Sequence, residues 1–535
     1  LTTFIIRHIN ANIQHIFPKW RYFGEQQYQG IAAVYNPEKW DQGQRNPFSK
    51  LGGNDMKRNV GLFVVVAIAL GLSLLVMGCG SKGGAAAKEA AAGGEFAFLP
   101  TDDFKPVSDY QVEFRGWAYK PEIPDRNTDL YNSNLDGNVN YETVTGDYPS
   151  ILQSMMIAGS QVDVMYISNL TAPRFYDAGW IIPAEDFGNI DEIKSNMYQN
   201  VIDSNSYKGK LMGLSYFTSV VGNPLVNMKL AKELGLSFDE VSPASWDELW
   251  DSIPKWQAKG IKYPFLPWWT TEWPGINWGY AIEVTNRGGT IVDPVTHKPV
   301  LSVDGPEGET LRDWKRAWNS DSVPKEVLQY TEADQIQAFA SGKYLICSQH
   351  LYEMKNYNDP EFSAFAGQCY QIPYQGQSWG MLDTCQYALV NGDKFGRSAE
   401  GTQDATTFIQ WYGFKDQNGN MFVADQWVEE SMLFSAYKPV MEDPKNIEIV
   451  KGYLAKEDPG SEYYELAEKQ YDVIMEIYQT APFPHPTFSV IWADEWNAWL
   501  NSYLKRFLTE NIPVETAIAA MTDKLNDLND TYGVK

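Results

Sequence analysis

Residues 148–168 read YPSILQSMMIAGSQVDVMYIS. Through Ala158 the apolar side chains fall at helical spacing, and Gly159 and Ser160 stop the pattern; QVDVMYIS then forms a short apolar run with the length of a buried strand. Upstream, YQVEFRGWAY (110–119) has the alternation and aromatic content of a strand, and NVNYETVTG (138–146) is a second one. Strands that alternate with helices predict an α/β domain with a mainly parallel sheet. Ligands of such sheets sit at the carboxyl ends of the strands, which here are Trp117 to Tyr119 and Ser168 to Asn169.

Further along, SWDEL (245–249) is a capping box, with Ser245 as N-cap and Glu248 as its partner. The helix it opens places Trp246, Leu249, Trp250, Ile253 and Trp256 on one face, with a kink expected at Pro254. PEGETLRDWKRAWNS (306–320) is a second amphipathic helix, burying Leu311, Trp314 and Trp318. FLPWWTTEWPGINWGY (265–280) differs from both, because Pro267, Pro274, Gly275 and Gly279 break any long regular element and leave its rings without a helical face. Such rings either pack a small core or stack on the C–H faces of a sugar whose hydroxyls meet Glu272 and Asn277. Of the rings, Trp269 and Trp273 are expected to face a ligand and Trp268 to turn inward.

The N-terminal part reads as targeting sequence. MKRNVGLFVVVAIALGLSLLVMGCGS (56–81) has a cationic start, an apolar run and Gly78 before Cys79, the pattern of a lipoprotein signal peptide. Cleavage would leave Cys79 as the acylated residue, followed by a flexible tether rich in Gly and Ala to residue 107. An uncleaved single-pass anchor is the alternative. Residues 1–55 then form an upstream segment, untranslated or extraneous, with no function assigned. A net charge of -25 argues against nucleic acid as a partner. Apart from Cys79, the cysteines are Cys347, Cys369 and Cys385, which leave one disulfide of unspecified pairing open.

No HExxH, GxSxG or P-loop occurs, and no metal site or cofactor is expected. NSNLDGNVNYET (132–143) begins with calcium-loop spacing but ends on Thr143 where a bidentate Glu is needed, so a turn into a strand is expected. Two carboxyls about 5 to 10 Å apart across a cleft would mark a secreted glycoside hydrolase or lyase. A surface carbohydrate-binding adhesin also suits this composition.

An ordered series of matches resembles the extracellular solute-binding proteins of family 1, the sugar-binding lipoproteins of ABC importers that include maltose-binding protein. GDYPSILQSMMIAGSQVDVMYIS resembles the family's first long helix and following strand. YKGKLMGLSYFTSVVGNPLVNMKLAKELGL resembles the crossing into a second lobe, and SPASWDELWDSIPKWQAKG is similar to a family helix. FASGKYLICSQHLYEM resembles a turn and strand ending at an aromatic contact, SWGMLDTCQYALVNGD the return crossing, and residues 486–508 with 513–525 the terminal helices. The resemblance implies a two-lobed type II fold, with lobes at 108–222 plus 377–436 and 223–376 plus 437–535. It also implies a non-enzymatic monomer, lipid-anchored outside the cytoplasm, that closes on a carbohydrate and delivers it to importer permease subunits. The contacts it implies are Trp117, Tyr119, Ser168, Asn169, Tyr216, Thr218, Trp269, Glu272, Trp273, Tyr352, Trp379, Gly380 and Trp492.

Overall fold

The computed structural model describes residues 104–272, 275–375, 378–482 and 484–534. The signal peptide, Cys79, most of the tether and Trp273 lie outside these residues. Among the described residues no helix is long and apolar enough to cross a membrane.

The first sheet is built from β1 (Val112–Trp117), β2 (Val139–Val144), β3 (Val164–Ser168) and β4 (Ile181–Ile182), joined by β5 (Leu214–Val221). Helices α1 (Glu122–Leu135) and α2 (Tyr148–Ala158) connect the first three strands. The chain passes through Gly222 straight into β6 (Asn223–Asn227), the first strand of a second sheet. There follow α3 (Trp246–Gln257), β7 (Phe265–Leu266), α4 (Ile276–Asn286), α5 (Pro306–Asn319), α6 (Glu332–Ala340), β8 (Ile346–Gln349) and β9 (Cys369–Gln371). The chain then returns as β10 (Met381–Val390), whose ten residues are all buried in the first sheet. The rest is helical: α7 (Ala399–Gly413), α8 (Phe422–Ser431), α9 (Pro444–Gly452), α10 (Gln470–Thr480), α11 (Ala493–Thr509) and α12 (Val514–Tyr532).

Strand order in the first sheet is β2-β1-β3-β10-β4, with β5 paired to the other part of β10. β1 is parallel to β2 and β3, as expected from the alternation, whereas β10 runs antiparallel to β3, β4 and β5. A strand that re-enters from the other lobe is not a βα crossover, so the rule for alternating units does not govern its direction. The second sheet has the order β9-β6-β8-β7. There Gln349, at the carboxyl end of β8, pairs with Asn223, one residue beyond the crossing at Gly222. The carboxyl end of β8 therefore lies where the lobes join.

Each sheet has its own core. In the first, Phe114 meets Tyr166, Tyr412 and Phe408 edge-on at 5.5, 5.1 and 5.5 Å. In the second, Ser245 caps α3, its Oγ accepting from Glu248 N at 3.2 Å, but the expected reciprocal bond shifts by one residue, the Glu248 carboxylate accepting from Ala244 N at 2.8 Å; α3 continues through Pro254. Its Trp246, Trp250 and Trp256 are buried, as the spacing predicts; Trp318 on α5 is only half-buried. Residues 444–480 touch both lobes: Asn446 donates to Asp425 on α8 at 2.8 Å, and Gln371 N of β9 donates to Gln470 at 2.8 Å.

Three stretches cross between the lobes. At Gly222 φ is +85°, and a Cβ would lie 2.7 Å from Ile282 Cδ1. At Gly380, just before β10, a Cβ would lie 2.7 Å from Val220 Cγ1 and 2.7 Å from Val221 O. At the third, Pro482, after α10, accepts from Leu382 N at 3.0 Å on the side of the first sheet, and His485 lies on the side of the second. His485 Nε2 accepts from Ile291 N at 2.8 Å, and burial pushes its pKa down to about 3, which keeps the ring neutral.

In the calcium-like stretch, Asn132 sits inside α1 and its amide spans Val139, donating to the carbonyl at 2.8 Å and accepting from N at 2.8 Å. The expected turn into β2 is the use this stretch makes of its side chains. Cys347, Cys369 and Cys385 are buried free thiols whose pKa burial pushes up.

Candidate functional site

A continuous line of aromatic contacts runs from the first sheet to the second across the junction. Trp117, at the carboxyl end of β1, lies 5.6 Å from Tyr216 of β5, and Tyr216 lies 4.9 Å from Trp427 of α8. Trp427 stacks on Tyr119 at 6.4 Å, and Tyr119 lies 6.3 Å from Tyr352, the planes tilted by 56°, which is the step from one lobe to the other. Tyr352 stacks on His350 at 4.7 Å, and His350 meets Trp268 edge-on at 5.0 Å. Trp117, Tyr119 and Tyr352 are half-buried, so ring surface remains uncovered on both sides of the step.

Carboxylates gather at the same place. Glu332 opens α6, Glu353 follows β8, and Asp383 lies on β10, on the same strand face as Tyr387. His350 stands among them, with Nε2 3.3 Å from Glu332 Oε1 and Nδ1 3.9 Å from Asp383 Oδ2. Neither approach is a formed hydrogen bond; His350 Nδ1 and Glu332 Oε1 have no partner among the described residues. Burial pushes the pKa of Asp383 and Glu353 up to about 7, with Lys120 pulling Glu353 back, and pushes His350 down to about 3. Glu332 is raised by burial and by the charges of Glu353, Glu272 and Asp383, although 27% of its side chain stays exposed and water moderates that rise. Glu272 is exposed and accepts from Glu332 N at 3.1 Å, which ties it to the head of α6.

The other expected contacts lie elsewhere. Ser168 is engaged by Thr171, to whose Oγ1 its N donates at 3.2 Å. Asn169 borders a cavity of about 10 Å³, room for about one water, with Asn205 and Gln386. Thr218 donates to Tyr478 Oη at 2.6 Å. Trp269 is 1% exposed and sits against Trp250 at 6.1 Å and Trp314 at 5.0 Å. Its ring thus turns into the core where a ligand-facing orientation was expected; Trp268, expected to turn inward, is also 1% exposed and is the one against His350. Trp379 packs on Trp246 at 5.2 Å, and Trp492 donates to Asn529 at 2.9 Å between α11 and α12. Gly380 serves a crossing. Trp427, His350, Glu332, Glu353 and Asp383 went unread in the sequence. Asp383 had a signal: a lone charge inside the apolar strand MLDTCQYALV.

A cavity of about 380 Å³ opens between α3 and α5 and is bordered by Trp250, Asp251 and Arg316. Asp251 and Arg316 satisfy each other at 3.0 Å, so it lacks the unpaired polar groups found at the lobe junction.

Residues 129–427 match the family model described as bacterial extracellular solute-binding protein. The chain belongs to that family. Membership implies an extracytoplasmic location. No curated protein sequence matches the chain significantly. Among solved structures, maltose-bound MalE3 of T. maritima has 18% identity and a TM-score of 0.61, covering 78% of this chain and 99% of its own. A solute-binding protein of Thermotoga lettingae bound to alpha-D-tagatose has 19% identity and a TM-score of 0.61, with coverage of 78% and 99%. One from Agrobacterium vitis with bound D-mannitol has 16% identity and a TM-score of 0.59, with coverage of 79% and 99%. At these identities the likeness shows the fold, a two-lobed type II arrangement.

Proposed function

We propose that this solute-binding protein captures a carbohydrate between its lobes by hinge closure and presents it to the permease subunits of an ABC importer. The observation that carries the reading is the Tyr119–Tyr352 step, where half-buried rings from the two lobes meet at 6.3 Å with their planes tilted by 56°. Stacking removes ring and sugar faces from water, and nearby polar groups replace the water lost by hydroxyls. Closure requires few points of backbone change, and the crossings at Gly222 and Gly380 supply two of them. That two of the similar structures hold maltose and tagatose, and a third mannitol, supports a polyhydroxylated ligand.

The proposed lobes are 108–222 with 377–436 and 223–376 with 437–535, with residues 444–480 bridging them. Contacts are assigned to Trp117, Tyr119, Tyr216 and Tyr352 from the sequence, with Glu272 at the rim, and to Trp427 and His350 from the geometry. Lipid on Cys79 would hold the monomer at the membrane, and binding without turnover is the expected activity.

A thermal-shift panel of sugars and polyols tests the reading, since a ligand that binds only the native state raises Tm by mass action. Stabilisation by a sugar that is recovered unchanged supports it. Release of smaller sugars would sink it in favour of a hydrolase.

A further inference from the structure

The junction holds more than acidic residues. Two groups at least nine-tenths buried stand there without partners: His350, 3% exposed, whose Nδ1 is turned toward Asp383 Oδ2 at 3.9 Å, and Trp268, 1% exposed and edge-on to His350, through Nε1. Asp383 is 6% exposed and has no cation beside it other than the imidazole, which burial keeps neutral. Nothing positive offsets Glu332 either. The lysines around it are engaged elsewhere: Lys120 and Lys355 both donate to the backbone carbonyl of Glu430, and Lys505 of α11 donates to Thr271 O at 3.4 Å, beside Glu272. An ionised carboxylate taken from water without a counter-charge is costly, and proteins normally pair it. Beyond the Trp268 indole N–H and the one N–H of the neutral His350 ring, the site presents carboxylate acceptors and aromatic faces.

We infer that the carbohydrate taken by this cleft carries a protonated amine, seated between Glu332 and Asp383 and against the faces of Tyr119 and Tyr352. The inference rests on the carbohydrate reading above and adds the charge of the ligand to it. An ammonium brings a positive charge and three N–H donors, which fit Glu332, Asp383 and one further acceptor. Aromatic faces attract the same cation. The groups that share the field are Glu332, Glu272, His350, Tyr352 and Glu353 from the second lobe, and Tyr119, Lys120, Glu122, Asp383 and Cys385 from the first; Lys355 and Glu430 stand behind them. Of these, Lys120 acts on Glu353 rather than on Glu332 or Asp383. As pH rises toward 7 the raised carboxyls ionise, so affinity for a cation strengthens while affinity for a neutral sugar does not follow.

The test is calorimetric titration of the wild type with isosteric pairs that exchange only amine for hydroxyl. The pairs are D-glucosamine and D-glucose, D-galactosamine and D-galactose, and deacetylated chitobiose and cellobiose. The expected result is that the amine member of at least one pair binds about tenfold tighter at pH 7.0, with the ratio shrinking at pH 5.5. In Asp383→Asn and in Glu332→Gln that ratio falls toward one. A hydroxyl member that matches or beats its amine twin in every pair that binds overturns the inference and leaves the carbohydrate reading standing. Silence of the neutral and amine sugars alike overturns both. A ligand-free measurement stands beside these: Asp383→Asn at pH 8 keeps or raises Tm. A fall of more than about 2 °C would show that Asp383 already has a cationic partner in the protein, and the inference would go.

Discussion

Glu283 on α4 and Asp383 on β10 are both carboxylates buried among aromatic rings, and their surroundings differ in one respect. Both oxygens of Glu283 are satisfied: Trp250 Nε1 donates at 3.0 Å and Trp314 Nε1 at 2.8 Å. Arg287 lies 3.9 Å away and is itself held by Asp313 at 2.6 Å and Asp247 at 2.5 Å. Burial raises the pKa of Glu283, and Arg287 and the two indoles pull it back. Asp383 has no cation in such a frame: burial raises its pKa, the Thr384 backbone N–H pulls it back a little, and the imidazole 3.9 Å away is neutral. The comparison teaches that this fold can pair a buried acid internally where the acid's task is structural. Where it leaves one unpaired, at the junction of the lobes, the missing partner belongs to something that binds there.

Removing the satisfied carboxylate has the largest expected effect. Glu283→Ala leaves the indole N–H groups of Trp250 and Trp314 without acceptors in the second core, opens a cavity there, and costs about 3 to 5 kcal/mol of stability, read from urea denaturation. A cost below about 1 kcal/mol would break the contrast, because Glu283 would then be as dispensable as an unpaired acid. Tyr352→Ala is the counterpart at the junction. Its ring is half-buried, so the stability loss stays near 1 kcal/mol, while Kd for the bound sugar rises about tenfold or more, measured by calorimetry.

The pH dependence sharpens the comparison further. Asp383 and Glu353 have folded pKa values raised to about 7 from 3.8 and 4.5, so the folded state holds protons that the unfolded state has released. Their contribution is fully present below about pH 4 and is lost as pH rises through about 7. Carboxyls such as Asp293 and Asp334, which backbone N–H donors hold low, act in the opposite direction. The readout is therefore a difference: between pH 4 and 8 the Tm of Asp383→Asn falls less than that of the wild type. Parallel curves would show that Asp383 is ionised throughout and paired.

The smallest effect is expected at a helix end. Ser245→Ala removes the acceptor for Glu248 N and costs about 1 kcal/mol, with no change in sugar affinity, since α3 belongs to the same core as Trp269. A change in affinity would mean that this core and the junction are coupled.

Much of the architecture was legible because it rests on periodicity. The helical spacing through Ala158 followed by QVDVMYIS gave α2 and β3, and the SWDEL cap gave α3 with its buried face. The carboxyl ends of strands pointed to Trp117 and Tyr119, and the structure sets both rings in the aromatic line. Between Pro267 and Gly275 that logic ran out. Neither a helical nor a strand period operates there, so adjacent Trp268 and Trp269 could not be told apart, and the core filled by α3 and α5 takes Trp269. His350 and Glu353 flank a tyrosine that drew attention for its position, yet their proximity to Asp383, on a strand of the other lobe, is purely three-dimensional. The antiparallel entry of β10 escaped for a similar reason, since strand direction after a return crossing leaves no local pattern.

The account's central claim is that sugar meets the Tyr119–Tyr352 step and not the tryptophan core. The most direct test is calorimetric titration of the sugar selected by thermal shift into Tyr352→Ala and Trp269→Phe, each confirmed folded by its melting curve. About a tenfold weaker Kd for Tyr352→Ala, with Trp269→Phe binding as the wild type does, is the predicted result. Weakened binding in Trp269→Phe alongside wild-type binding in Tyr352→Ala would contradict it.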